Sequence, residues 1–478
     1  MSIPELFERA ARLAHEYRAR VGSIPVAPRA SMAALRASLG GALTEAGSSE
    51  GDTLDLLARA AEPGLLNTVS PRFFGFVIGA SAPMGVAADF LTSAWGQNAG
   101  LYATSPALAV AEETAARWVL ELLGLPPTSS VGFVTGCQMA NFTALASARH
   151  ALLHAAGWDV EEHGLFGAPP VHVVISEEAH VTIPRALRLL GMGQGRVIRV
   201  PSDAQGRMRA DALEQTLGGL QGPTLVCAQA GNVNTGAVDD LDRIASLCAG
   251  RAWLHVDGAF GLWAAASPRL SHLVHGVARA DSWATDAHKW LNAPYDSGLV
   301  IVKHPAAHKA AMTTDAAYLV KERLSGPGAV SGGTGHEGDS APPRDAVDWV
   351  PEFSRRARGF AVWAQLRTLG RTGVASLVDR CCALASRMAQ GLAREAGAEI
   401  LNDVVLNQVL ARFTPASGGD TDAFTREVIA RTQREGTCWL GGSVWKGKAV
   451  MRVSVSGHAT TEEDIDRSVR AIASCAKA

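Results

Sequence analysis

Residues 252–261 read AWLHVDGAFG, and residues 281–290 read DSWATDAHKW. Each stretch starts with a short apolar run of the kind that forms a buried β-strand and then turns polar. Asp257 ends the first run, and His288 and Lys289 follow the second. In open α/β sheets, ligands bind outside the carboxyl ends of the strands, so these three side chains are candidate site residues. The lysine needs a reason to be there, because lysine is rarely fully buried unless it is paired or chemically used.

The same alternation of strand and helix extends on both sides of this pair. Apolar runs of strand type lie at 131–134, 171–175, 196–200, 224–228, 252–257, 281–285 and 298–302. Helix-like stretches lie between most of them, at 139–155, 182–190, 209–219 and 239–249. Such alternation predicts an α/β layer with a largely parallel sheet. No helix separates the last two runs, so we expect one antiparallel strand.

Glycine, proline and periodicity divide the whole chain into four predicted parts. We interpret 1–70 as a helical segment that wraps a partner subunit and 71–323 as the large domain. The segment 324–347 is rich in glycine and proline and is predicted to be a mobile active-site loop, since structureless loops longer than about 12–15 residues are usually functional or disordered. Residues 348–478 are predicted to form a smaller α+β domain.

Composition excludes several classes of protein. The formal net charge of -2 gives no electrostatic footprint for nucleic acid or an anionic membrane. The seven cysteines are odd in number and scattered, which argues against a disulfide framework, and no C-x-x-C spacing suggests a metal site. No run of about 18 apolar residues indicates a membrane span, and the N-terminus lacks the apolar region of a signal peptide. We therefore predict a cytoplasmic protein that binds no metal, nucleic acid or membrane.

Two further strand ends add polar groups to the same edge of the predicted sheet. The run at 131–134 ends in Thr135 and Gly136 ahead of a helix, and the segment after 171–175 continues to His180. Taken singly, each feature is more simply a cap, a turn or a surface charge. Together they supply what pyridoxal 5'-phosphate (PLP) requires, namely a lysine for a Schiff base, an acid for the pyridine nitrogen and an anion site for the phosphate.

The lysine of such a site has to be nucleophilic. A Schiff-base amine must be reachable and partly neutral before it can attack a carbonyl. We therefore expect burial and nearby cationic groups to lower the pKa of Lys289.

Longer motifs around these residues resemble the group II PLP-dependent decarboxylases, which include the aromatic amino acid and glutamate decarboxylases. The resemblance is most specific in HVDGAFG (255–261) followed by DAHKW (286–290), and SPRFFGF (70–76) and GNVNTGAVDD (231–240) also fit. It implies the PLP-dependent transferase fold of the aspartate aminotransferase type, with a mostly parallel seven-stranded sheet. It also implies a homodimer with the active site at the interface, and decarboxylation of an L-amino acid to an amine and CO2.

The resemblance further implies roles for individual residues. Lys289 is similar to the Schiff-base lysine and Asp257 to the partner of the pyridine nitrogen. Ala259 resembles the small residue that packs under the cofactor ring. His180 resembles the histidine that stacks on the ring and contacts the substrate carboxylate, so we place it with Lys289 and Asp257 among the catalytic residues.

The remaining cofactor contacts also follow from the resemblance. His288 resembles the phosphate-side neighbour of the lysine, and Asn232 falls where the family has a threonine or asparagine near the cofactor. The phosphate loop of the family corresponds to Thr135, Gly136, Cys137 and Gln138. Cysteine, glutamine and methionine stand in this loop where the family usually has serine and threonine, so we expect backbone N–H groups to bind the phosphate.

A second departure from the family lies in the segment 324–347. In the aromatic decarboxylases this loop carries a tyrosine that returns a proton to the substrate α-carbon, whereas the tyrosines here are Tyr17, Tyr102, Tyr295 and Tyr318. Alignment on Trp349 places Ala346 at the tyrosine position. His336 or His180 is a candidate substitute. The departure leaves open an aldehyde synthase, an aldehyde-lyase or an aminotransferase on the same scaffold.

The substrate pocket is less defined in the sequence. Phe76, Tyr102 from the dimer partner, His336 and Arg452 are candidate substrate contacts. These residues favour an aromatic or apolar amino acid over glutamate. A non-catalytic binding protein is the alternative from another class, and the intact set of cofactor contacts argues against it.

Overall fold

The structure is a computed structural model that describes residues 1–314 and 344–477. His336 and Tyr318, and most of the predicted loop at 324–347, lie outside the described residues. The described strands are β1 (Ser130–Val134), β2 (His172–Ser176), β3 (Ile198–Val200), β4 (Thr224–Gln229), β5 (Trp253–Asp257), β6 (Ser282–Asp286), β7 (Gly298–Val302), β8 (Ala398–Ile400), β9 (Gln408–Phe413), β10 (Gly441–Trp445) and β11 (Lys448–Ser454).

Helices fill most of the rest of the described chain. They are α1 (Ile3–Arg20), α2 (Met32–Leu39), α3 (Glu50–Ala61), α4 (Pro83–Trp95), α5 (Pro106–Leu122), α6 (Cys137–Ala155), α7 (Val160–His163), α8 (Thr182–Leu189), α9 (Ala210–Gly218), α10 (Leu241–Cys248), α11 (Pro305–Met312), α12 (Gly359–Ala393), α13 (Thr421–Glu435) and α14 (Glu462–Lys477). The long helix α12 is interrupted at Gly370, where φ is 60°.

The large sheet has seven strands in the described part of the chain, in the order β1-β7-β6-β5-β4-β2-β3. Strands β2 to β6 pair in parallel with their neighbours, and β7 pairs antiparallel with both β6 and β1. Residues 287–297 join β6 to β7 without a helix, so the chain reverses there without a crossover. The predicted fold class and the single antiparallel strand are therefore confirmed.

The strands of this sheet are largely apolar and buried, with a few buried polar side chains in β5 and β6. All residues of β1, β4, β5, β6 and β7 are buried. Continuous apolar runs of this kind are typical of parallel sheets with helices on both faces.

The described residues form two compact units. One contains Ser81–Ala383 and Asn402–Gln408, and with them the large sheet. The other contains Met1–Ala80, Leu384–Leu401 and Val409–Ala478, and most of the smaller sheet, whose strand order is β10-β11-β9-β8. The predicted division at residues 70, 323 and 347 stays a prediction. None of the described helices is long and apolar enough to cross a membrane.

Candidate active site

Strands β5 and β6 bring the central candidates together. Asp257 is the last residue of β5 and Asp286 is the last residue of β6, and the two strands pair in parallel. The backbone of Ala259 joins the two ends, because its N–H donates to Asp257 Oδ1 at 3.3 Å and its carbonyl accepts from the N–H of Asp286 at 2.9 Å. Lys289 follows three residues after Asp286 in the turn to β7.

Asp257 is buried and is surrounded by neutral donors. Its Oδ1 also accepts from Cys137 Sγ at 3.4 Å. Its Oδ2 accepts from Asn141 Nδ2 at 3.3 Å and from Thr182 Oγ1 at 3.4 Å. Burial raises the pKa of Cys137 well above its usual value, so the sulfur keeps its proton for this contact. The carboxylate is therefore fixed in place by donors from α6, from the start of α8 and from its own turn.

A chain of buried polar groups lies behind Asn141. Trp253 Nε1 donates to Ser282 Oγ at 2.9 Å, Ser282 Oγ lies 3.0 Å from His255 Nδ1, and His255 Nε2 lies 2.9 Å from Asn141 Oδ1. Burial lowers the pKa of His255 to about 4, so its imidazole is neutral at neutral pH. Since Ser282 accepts from the indole, its own proton is assigned to Nδ1 and the ring proton to Nε2.

All the hydrogen bonds in this chain therefore donate in one direction. The order runs Trp253, Ser282, His255, Asn141 and finally the carboxylate of Asp257. Such an arrangement leaves Asn141 no freedom to rotate its amide, because its oxygen is already used by the imidazole. We name these four residues ahead of Asp257 the donor chain.

The amine of Lys289 forms a close ion pair. Its Nζ lies 2.9 Å from Asp286 Oδ2, and the Asp286 side chain is 2% exposed whereas that of Lys289 is 20% exposed. Burial acts to lower the pKa of Lys289, but Asp286, together with Cys137 and Asp257, outweighs it and the net pKa is raised. The expected lowering of this pKa is therefore wrong, because an anion and not a cation faces the amine.

His288 lies beside this pair with a defined orientation. Its Nδ1 accepts from the N–H of Ser297 at 3.1 Å, and its Nε2 lies 3.4 Å from Asp286 Oδ1. The imidazole stacks on Tyr295 with the ring centroids 4.2 Å apart. Burial lowers the pKa of His288, and burial also raises the pKa of Tyr295 to about 12. At neutral pH both rings are therefore uncharged.

His180 connects to the acid through one hydroxyl. Its Nδ1 lies 2.9 Å from Thr182 Oγ1, which in turn donates to Asp257. The imidazole is partly exposed, so it borders both the buried carboxylate and the open side of the strand edge. Three predicted catalytic residues, Lys289, Asp257 and His180, thus lie in one hydrogen-bonded region, and their roles stay predictions.

The N-terminus of α6 is where the sequence predicts an anion site, and that role stays a prediction. Gly136 precedes the helix and supplies no side-chain cap, and a Cβ there would lie 3.0 Å from His288 Cε1. A Cβ at Gly298 would lie 2.5 Å from the backbone of Gly136, so close packing requires glycine at position 298. The N–H of Cys137 donates to Asp286 Oδ1 at 2.5 Å, which places a protein carboxylate at this N-terminus.

The other phosphate-loop residues are placed around this helix start. Gln138 lies in the first turn and donates from Nε2 to the carbonyl of Thr182 at 3.4 Å, while Thr135 is the residue between β1 and Gly136. Asn232 is buried in the turn after β4, and its Nδ2 has no hydrogen-bond partner among the described residues. A buried amide donor of this kind requires a partner, such as a bound cofactor.

PLP fits this set of residues. An amine, a buried carboxylate on the adjacent strand, a glycine-flanked helix N-terminus and an unsatisfied buried amide match its aldehyde, its pyridine nitrogen and its polar substituents. Ala259 is small and partly exposed between the two carboxylates, as a residue under a planar ring needs to be. No group of three or more metal-ligating side chains occurs in residues 1–314 and 344–477.

Three of the predicted substrate contacts, Tyr102, Phe76 and Arg452, lie among the described residues, each in its own surroundings. Tyr102 lies in a short 3-10 helix, where its N–H donates to Asp345 Oδ1 at 2.8 Å. Phe76 and Arg452 belong to the unit that contains the smaller sheet. Within that unit Phe76 stacks on Trp439 at 5.8 Å, and Arg452 lies in β11 opposite Gly441. Their roles stay predictions.

Sequence reasoning missed four residues of the site. Asp286, Asn141, Thr182 and His255 all contact the predicted catalytic groups or one another. Asp286 and His255 had a usable signal, since each lies within three residues of a predicted site residue on a strand. Asn141 and Thr182 also lie within three residues of predicted site residues, but nothing in the sequence indicates that they reach Asp257, which is more than 70 residues away.

Comparison with known proteins gives the family. Residues 38–414 match the model of the pyridoxal-dependent decarboxylase conserved domain. An aromatic-L-amino-acid decarboxylase of Bacillus atrophaeus is 29% identical over 452 residues, which are 92% of this chain and 88% of that protein. The acidic amino acid decarboxylase GADL1 of Homo sapiens is 27% identical, over 84% of this chain and 77% of its own length.

Two other proteins define the range of the likeness. A phenylacetaldehyde synthase of Arabidopsis thaliana is 25% identical, over 84% of this chain and 81% of its own length. The crystal structure of Oryza sativa TDC with PLP and tryptamine superposes with a TM-score of 0.88 at 24% identity, covering 99% of this chain and 97% of that one. The chain therefore belongs to the pyridoxal-dependent decarboxylase family, and it is a PLP-dependent carboxy-lyase of the fold predicted from its sequence.

Proposed function

We propose that this chain decarboxylates an aromatic or apolar L-amino acid to the corresponding amine and CO2. The observation that carries the proposal is that the reachable amine of Lys289 lies near the buried carboxylate of Asp257. Contacts through Ala259 and Asp286 join the two residues. The similarity to an aromatic-L-amino-acid decarboxylase along most of both chains supports the aromatic substrate class. The stacked rings of His288 and Tyr295 beside the lysine supply a flat, uncharged surface that suits it.

Each residue of the site has a task in this proposal. Lys289 binds the cofactor aldehyde, Asp257 holds the pyridine nitrogen, and the N-terminal turn of α6 with Thr135 to Gln138 holds the phosphate. When bound, PLP supplies an electron-accepting ring that stabilises the negative charge left on the substrate α-carbon after CO2 departs. His180 is partly exposed beside this site, where its imidazole can orient the substrate carboxylate. The donor chain keeps Asp257 from turning away while charge develops.

A second candidate function is aldehyde synthesis on the same scaffold. Ala346, which aligns with the proton-returning tyrosine of the aromatic decarboxylases, lies buried in a 3-10 helix at Ala346–Asp348. An alanine side chain holds no proton to return to the α-carbon. A phenylacetaldehyde synthase among the similar proteins also favours this alternative. Aldehyde-lyase and aminotransferase reactions on the same residues give other products, so a product assay distinguishes them from aldehyde synthesis.

A product assay tests the two candidates. Purified protein loaded with PLP is incubated with each of the protein amino acids, and CO2, amine, aldehyde and ammonia are quantified together. We expect CO2 and amine in equal amounts from an aromatic or apolar amino acid, and none from the Lys289→Ala variant. Aldehyde and ammonia in place of amine would reject simple decarboxylation and support the synthase.

We also propose that the protein is a homodimer. Met84, Leu91 and Trp95 are spaced by seven and four residues, which places them on one face of α4, and they are 38%, 45% and 52% exposed. An exposed apolar face of this kind marks an interaction surface. Light scattering after size exclusion should give a dimer for the wild type and a smaller species for Leu91→Glu. Leu189→Glu, at an exposed leucine of α8, is the matched control and should leave the dimer intact.

The cytoplasmic location stays a prediction from the sequence.

A further inference from the structure

The side chain of Asp286 makes three contacts in the site, and the proposal above gives it no chemical task. One oxygen lies 2.9 Å from the amine of Lys289, and the other accepts from the N–H of Cys137 at 2.5 Å and lies 3.4 Å from His288 Nε2. The side chain is 2% exposed. A buried carboxylate needs a charged or strongly donating partner, and this one has an ammonium group and a helix N-terminus.

The geometry gives Lys289 no comparable alternative partner among the described groups that act on it electrostatically. Asp257 also acts on the amine, but it is already bound by four neutral donors. Cys137 is a neutral thiol that donates to Asp257. His288 is a neutral imidazole, because burial lowers its pKa, so it forms no ion pair with either carboxylate. The titratable groups that surround the pair are Cys137, Asp257, His288, Tyr295 and, acting on His288, Asp296.

We propose that Asp286 is the resting partner of the Lys289 amine and holds it as an ammonium ion whenever the amine is not bonded to the cofactor. The inference rests on the proposed role of Lys289 as the PLP-binding lysine. In the protein without cofactor, the amine is then reachable but protonated, and capture of an aldehyde is limited by the small neutral fraction. The same partner receives the amine each time a substrate amine displaces it.

The reaction of the Lys289 amine with an aldehyde determines which rate reports its protonation. Lys289 Nζ loses one proton to solvent, its lone pair attacks the aldehyde carbon, and the carbonyl oxygen leaves as water when the C=N bond forms. Nothing is oxidised or reduced. The capture rate at a fixed pH is therefore proportional to the neutral fraction of the amine, and so is its rate of acetylation by acetic anhydride.

Four forms of the full-length apo-protein make the comparison. Asp286→Asn removes the charge but keeps an oxygen that can accept from the N–H of Cys137, and Asp286→Glu restores the charge. Asp296→Asn is the matched control, because Asp296 lies in the same turn and pairs with Arg358 at 3.3 Å. Acetylation of Lys289 is followed by mass spectrometry at pH 8, with the peptide of Lys303 as internal reference.

We expect Asp286→Asn to acetylate at Lys289 about tenfold faster than wild type, as a pKa lower by about one unit requires. Asp286→Glu and Asp296→Asn should stay within about twofold of wild type on the same scale. Capture of pyridoxal, which lacks the phosphate, should rise by the same factor as acetylation when followed by the absorbance of the bound aldehyde. Equal acetylation of wild type and Asp286→Asn would overturn the proposal.

Two further outcomes keep the test decisive. If Asp286→Asn captures PLP faster but is unchanged toward pyridoxal and acetic anhydride, the carboxylate acts on the phosphate alone and the proposal is overturned. If Asp286→Asn does not fold, Asp286→Ser replaces it with the same expected rise in acetylation, and the pyridoxal capture rate of the wild type should keep rising about tenfold per pH unit beyond pH 8. A plateau below pH 8 contradicts the proposal. These experiments measure acetylation and aldehyde capture and not turnover. Their outcome is therefore independent of whether the product assay for the proposed function succeeds.

Discussion

The ends of β5 and β6 carry the same side chain in opposite settings. Asp257 and Asp286 are 4% and 2% exposed, and Ala259 links their backbones. Asp257 accepts from four neutral donors and forms no ion pair with any residue of 1–314 or 344–477, whereas Asp286 pairs directly with the ammonium of Lys289. A carboxylate bound only by neutral donors can still pair with a cationic ligand, whereas the charge of one that is paired with a cation is already neutralised. The two aspartates therefore differ in function because their partners differ, although the residue type is the same.

The largest effect should come from removing the charge at β5. Asp257→Asn places an amide among donors and leaves the cofactor ring without an anion beside it. We expect kcat to fall about 1000-fold, the upper range for loss of one preorganised electrostatic partner. CO2 release is measured at saturating PLP, with bound cofactor quantified on the same sample. Asp286→Asn, assayed in parallel, should lose much less, and an equal loss in both variants would remove the distinction between the two carboxylates.

The sequence predicts the strand ends well because the pattern is local. Long apolar runs separated by helical stretches give the seven strands, and the residue after each run gives Asp257, Gly136 and the segment leading to His180. The partners of these groups are not local. Asn141 and Thr182 meet Asp257 only because α6 and α8 pack on the same edge of the sheet. The pKa of Lys289 was predicted with the wrong sign because the direction of the Asp286 side chain depends on the turn between β6 and β7.

The donor chain behind Asp257 should control stability and its pH dependence. The pKa of His255 is about 4 in the folded protein and about 6.5 in the unfolded chain, so the unfolded chain binds more protons between these values. Stability from this group is fully present above pH 6.5 and is lost as the pH falls toward 4, by up to about 3 kcal/mol. His308, whose pKa burial lowers to about 3, adds to the same trend.

His255→Gln separates the two histidines. Urea unfolding from pH 4 to pH 7 should show a smaller loss of the free energy of unfolding in the variant than in the wild type. Part of the slope should remain, since His308 bonds Ser130 and the carbonyl of Trp349 instead. Identical slopes in the two proteins would mean that His255 is not the titrating group. At pH 7 the variant should also be less stable by about 1–3 kcal/mol, since Ser282 or Asn141 loses a partner.

The hydroxyl of Thr182 is the next contact of Asp257 to break. Thr182→Val keeps the shape of the side chain and removes the bridge between His180 and Asp257. We expect kcat to fall about tenfold, as loss of a hydrogen bond to a charged group worth about 1.5 kcal/mol requires. Thr182→Ser should recover most of that loss. A tenfold loss that serine does not recover would assign the effect to packing and not to the hydrogen bond.

Tyr295 tests whether a phenol near the β6 end replaces the tyrosine that the segment 324–347 lacks. Its ring stacks on His288, and burial together with Asp286 raises its pKa to about 12. A general acid is efficient when its pKa lies near the working pH, so a phenol this weak returns a proton poorly. Tyr295→Phe keeps the stacking, and we expect kcat to change less than about threefold, a difference below roughly 0.7 kcal/mol. The ratio of amine to aldehyde should be the same as in the wild type. A shift of that ratio toward aldehyde would instead identify Tyr295 as the proton donor and make Asp286, which acts to weaken that acid, part of the product choice.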